Sequence, residues 1–126
     1  MGLTKVWIAT LNDGILRADQ VIGLTAHATP ALTGKPPRWL LDATVRVPAG
    51  SGAVDGWDVG ILHRTLVQTP AEPVGAPEDL ARLLARLDRQ DAAGLVTAVV
   101  DRSAAGVRFA FRAFDDDVTS SAARSG

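Results

Sequence analysis

The sequence predicts an α+β domain: an antiparallel sheet, or a small partly closed β-barrel, of about six strands with one amphipathic helix packed on it. Three observations carry this expectation. Short segments of period-two hydrophobicity alternate with Gly, Pro and Asn turn signals. One stretch alone shows helical periodicity. The chain of 126 residues, 47% hydrophobic and 21% charged, has the length and composition of one globular domain. Residues 1–114 hold all the patterned segments, and 115–126 form an acidic then Ser/Ala-rich tail too poor in apolar residues to pack.

The first strand is read in Lys5 to Leu11, which is rich in β-branched and aromatic residues, and Asn12-Asp13-Gly14 is a reverse-turn signal because these residues tolerate positive φ. A second strand runs from Ile15 through Val21, Ile22 and Leu24 toward His27, with Gly23 marking a bulge or a close backbone approach. Prolines 30, 36 and 37 then exclude a central strand, since each removes a ladder donor. From Trp39 the alternation resumes. Trp39, Leu41, Ala43, Val45 and Val47 make a buried face against outward Leu40, Asp42, Thr44 and Arg46.

A glycine-rich loop from Pro48 to Asp58 leads into a strand over Val59 to Thr69, where Leu62 and Leu66 share a face with Arg64 and need cover. Pro77, with Glu78 and Asp79 behind it, suits the positive end of a helix. Leu80, Leu83, Leu84 and Leu87 follow at i, i+3, i+4 and i+7, which makes one stripe for burial. Gly94 is the expected stop. Leu95 to Val100 reads as a strand buried on both faces, and Val107 to Phe114 alternates Val107, Phe109 and Phe111 against Arg108, Ala110 and Arg112. The order is β-β-β-β-α-β-β.

Composition excludes several kinds of chemistry. The sequence has no cysteine, so disulfides, thiolate metal ligands and cysteine nucleophiles are ruled out. No basic start followed by an apolar run marks a secretory signal, and no apolar stretch is long enough for a membrane span, so a cytoplasmic protein is expected. A net charge of -1 supplies no global field for nucleic acid. The basic residues are nearly all Arg and the acids nearly all Asp, a skew expected of a GC-rich bacterial genome.

The motifs are weak. His27 and His63 lie on strands without metal-ligand spacing, although Asp42 on a neighbouring strand is placed to converge with His63. Asp55-Gly56-Trp57-Asp58 lacks the ligand series of a calcium loop. Thr33-Gly34-Lys35 misses a phosphate-binding loop, with Thr29 in place of its first glycine and Pro36 in place of its magnesium-reaching hydroxyl. No serine sits in a nucleophile elbow.

With no catalytic constellation and no cofactor motif, the leading expectation is a non-enzymatic module that homo-oligomerises or serves as an accessory subunit, through Trp57, Leu62 and Leu66. The rival is a small-molecule barrel in which Trp7, Trp39, His63 and Arg64 line a pocket. A third reading is RNA binding through the helix face of Arg82, Arg86 and Arg89, joined by Arg108 and Arg112. It is opposed by Glu78, Asp88 and Asp91 on the same helix and by the lack of a base-stacking platform.

Overall fold

In the computed structural model, residues 2–12, 14–30, 33–48, 59–101 and 106–114 are described. The loop expected around Trp57, the turn expected at 102–105 and the tail expected at 115–126 lie outside them.

The α+β class is as expected, but the strands divide into two sheets that do not close into a barrel. Strands β1 (Val6–Ala9), β2 (Ile15–Arg17), β6 (Gly94–Asp101) and β7 (Gly106–Ala113) form one sheet in the order β2-β1-β6-β7. Strands β3 (Val21–Ala28), β4 (Trp39–Pro48) and β5 (Val59–Thr69) form the other in the order β3-β4-β5. All neighbours are antiparallel except β1 and β6, which run parallel, with Val6 opposite Gly94 and Ile8 opposite Val96. That parallel pair stands within the otherwise antiparallel pairing that was expected. A parallel neighbour cannot come from a hairpin, and here the connection is everything between the two strands.

The long second strand read from Ile15 to His27 is in fact two. After Arg17 a 3-10 turn over Ala18–Gln20 redirects the chain, so β2 stays with β1 and β3 begins the second sheet. Ala18 is buried at this corner, and the Arg17 guanidinium hydrogen-bonds the Asp19 carboxylate across it. The bulge expected near Gly23 is present: Val21 faces Val45 and Gly23 faces Thr44, which leaves Ile22 as the extra, half-exposed residue.

Helix α1 (Ala76–Arg89) carries Pro77 in its first turn, and Leu80, Leu84 and Leu87 are buried. It touches β3 on one side and β7 on the other, filling the gap between the two sheets. Its leucines complete a core with Val6, Ile8, Leu41, Ala43, Val67 and Val96. The helix ends before Gly94: Asp91 takes a left-handed φ of 50°, and Gly94 is instead the first residue of β6. Nor is β6 buried on both faces. Gly94 and Val96 are buried, Leu95, Thr97 and Val99 are half-buried, and Val100 is exposed.

A second bulge reorders β5. Leu41 pairs with Val67 and Asp42 with Thr65, so Leu66 is the unpaired residue and the strand's faces exchange there. Leu66 and Val67 are both buried, at 4% exposure each. The single alternation expected over Val59 to Thr69 is broken at this point.

Candidate functional site

On the outer face of the β3-β4-β5 sheet, Asp42 accepts a hydrogen bond from Thr65 Oγ1 at 2.8 Å, and its other carboxylate oxygen lies 2.8 Å from His27 Nε2. Asp42 was expected on an outward face, yet it is buried, because these two neighbours close over it. The hydrogen bond to Asp42 raises the His27 pKa; burial opposes it, and the charge of Asp42 and a backbone hydrogen bond at Ala28 add to the rise. Convergence of Asp42 with His63 does not occur. His63 Nδ1 instead lies 3.3 Å from Thr44 Oγ1, two residues further along β4.

Chemically, this trio is a cross-strand tie. Both carboxylate oxygens of Asp42 are engaged, and through Nε2 the carboxylate fixes the orientation of the His27 ring. Among the described residues, no three His, Asp or Glu side chains stand close enough to hold a metal ion.

Of the proposed pocket residues, His63 and Arg64 line one surface cavity of about 440 Å³ together with Leu11, Asn12, Leu62 and Thr65, whereas Trp7 and Trp39 are not part of its lining. Trp7 lies on β1 of the four-stranded sheet, whereas Trp39 opens β4 of the other. His63 and Arg64 are successive on β5 and point to opposite faces. With the sheets unclosed, no barrel interior gathers them. Of the expected interface residues, Leu66 is core, Trp57 is outside the described residues, and Leu62 is 43% exposed beside Leu11.

The arginines, by contrast, are brought together. α1 and β7 border an open groove of about 340 Å³ whose floor is Leu83, Val107 and Phe109. Arg82 and Arg86 reach it from the helix and Arg108 from the strand. Asp79, the carboxylate beside it, is taken by Arg82 at 2.8 Å. Arg86 and Arg108 are exposed, and neither has an ion-pair or side-chain hydrogen-bond partner among the described residues. The sequence joined both arginine sets in one patch; in the groove Arg82, Arg86 and Arg108 meet, and Arg89 and Arg112 are not part of its lining.

β7 itself ends the four-stranded sheet. It pairs with β6 through eight successive positions, from Gly106 opposite Asp101 to Ala113 opposite Gly94, without a register shift. Its other edge has no strand partner among the described residues. The edge of β3, also beside α1, differs in being interrupted by the Ile22 bulge.

Compared with known proteins, the chain matches no family model, no curated protein and no solved structure at a significant level.

Proposed function

We propose that this chain is a non-enzymatic association module that accepts a strand from another polypeptide along the free edge of β7. The carrying observation is the regular, unbulged edge of β7 lying directly beside an apolar-floored groove under α1. Strand addition uses these two parts: the open ladder contributes main-chain hydrogen bonds, and the groove takes alternate side chains of the incoming strand. Natural sheets usually blunt such an edge with a bulge, a proline or an inward charge. β3 has the bulge; β7 has no bulge, proline or inward charge, its charges Arg108 and Arg112 stand on the outward face, and its inward residues Val107, Phe109 and Phe111 are apolar.

Hydrogen exchange resolved to single amides tests this reading. The full chain is followed over a range of its own concentration, and with each ligand selected from a displayed peptide library. Slowed exchange of amides within Gly106–Ala113, with β3 amides unchanged, is the expected result. If every ligand and every concentration leaves β7 exchange unaltered, the association reading at this edge is wrong.

A further inference from the structure

We infer that the strand β7 accepts is acidic and alternating, with carboxylates four residues apart flanking two apolar side chains; this rests on the edge-association reading above. Side chains directly opposite on paired strands share a face and approach to about 5 Å, so β7 specifies its partner position by position. On one face stand Arg108 and Arg112, exposed and four residues apart, with Ala110 between them. On the other stand Phe109 and Phe111, half-buried against the core. An incoming strand therefore meets arginine, phenylalanine, alanine, phenylalanine, arginine in succession. Its complement is carboxylate, apolar, small or polar, apolar, carboxylate.

On the opposite face, where the apolar residues of the incoming strand would lie, the helix adds a cation at the rim of the groove. Arg86 stands over the groove with no carboxylate partner among the described residues, and the one nearby carboxylate, Asp79, already serves Arg82. The groove is thus locally positive on a chain whose net charge is -1. A second copy of this chain fits less well. Two β7 strands paired edge to edge would place the Arg108 and Arg112 of both on one face of the joined sheet, where like charges repel. RNA fits less well too, because the floor of Leu83, Val107 and Phe109 lies between α1 and an edge that would stay unpaired.

The test uses the full chain and a labelled synthetic peptide centred on Asp-Val-Thr-Val-Asp, its counterpart with both Asp replaced by Lys, and oligouridylate. Affinity is read by fluorescence anisotropy at about 50 mM and about 300 mM salt, and the footprint by amide exchange. The acidic peptide should bind, protect β7 amides and weaken several-fold in the higher salt. Arg108→Glu with Arg112→Glu, both at exposed positions, should weaken it about tenfold and turn the preference toward the lysine peptide, with circular dichroism unchanged. Equal binding of the two peptides overturns the inference. So does binding of oligouridylate competing with the acidic peptide. Self-association that protects β7 while the acidic peptide does not bind overturns the acidic partner but leaves edge association standing; no protection of β7 by anything removes both.

Discussion

Gly94→Ala is expected to destabilise the protein by about 3 kcal/mol, although placing alanine for glycine in a strand ordinarily helps by roughly 0.5–1 kcal/mol through the unfolded chain. A Cβ at position 94 would lie 2.6 Å from Cζ of Phe111 and closer still to the carbonyl oxygen of Arg112. Ordinary carbon contacts begin near 3.5 Å, so the ring must retreat by about 1 Å from the core it covers. Forced overpacking of this kind costs about 1–3 kcal/mol. The backbone contact sets the upper end. The Arg112 carbonyl belongs to the β6–β7 ladder, in which Gly94 faces Ala113, and moving it weakens hydrogen bonds worth about 1 kcal/mol each.

Urea unfolding followed by circular dichroism measures the loss as a lower midpoint at unchanged slope. In a chain of this size, about 3 kcal/mol corresponds to a melting temperature roughly 10 °C lower. Adding Phe111→Leu relieves only the ring, so the double variant should remain less stable than Phe111→Leu alone. A Gly94→Ala protein within about 0.5 kcal/mol of the parent, or one fully rescued by Phe111→Leu, would refute the steric reasoning.

Two further perturbations address the second sheet. Because Asp42 raises the His27 pKa above its ordinary 6.5, protonated His27 stabilises the fold below that pH, and the contribution fades as pH rises through the elevated folded value. Urea midpoints of the parent and His27→Gln should therefore converge between about pH 5.5 and about pH 8; parallel curves would show that the pair makes no pH-dependent contribution. Leu66→Ala should cost about 2–4 kcal/mol as a core truncation, and Leu62→Ala, at an exposed site, within about 0.5 kcal/mol. Equal effects in chemical denaturation would contradict the bulge that separates them.

The features legible in the sequence are local. The leucine spacing of α1 follows from 3.6 residues per turn, and the alternation in β4 and β7 from the period of two, so these elements and their buried faces were legible without coordinates. The tail-ward arginines were legible too, as pairs at fixed spacing. What the tertiary structure decided is who stands next to whom. Nothing in Val6 or Val96 announces a parallel partner across most of the chain. A bulge at Leu66 leaves no composition signal, yet it moves a leucine from a supposed interface into the core. Asp42 is engaged by His27 rather than His63, although each histidine lies two ladder positions from it, His27 opposite Leu40 and His63 opposite Thr44. Gly94 reads as a helix stop but is required by a phenylalanine seventeen residues later in the chain. The groove of Arg86, Arg108 and Phe109 exists only once α1 fills the gap between two sheets. Periodicity records which face of an element avoids water; the energy that selects its neighbour comes from side chains far apart in sequence, and no local pattern encodes it.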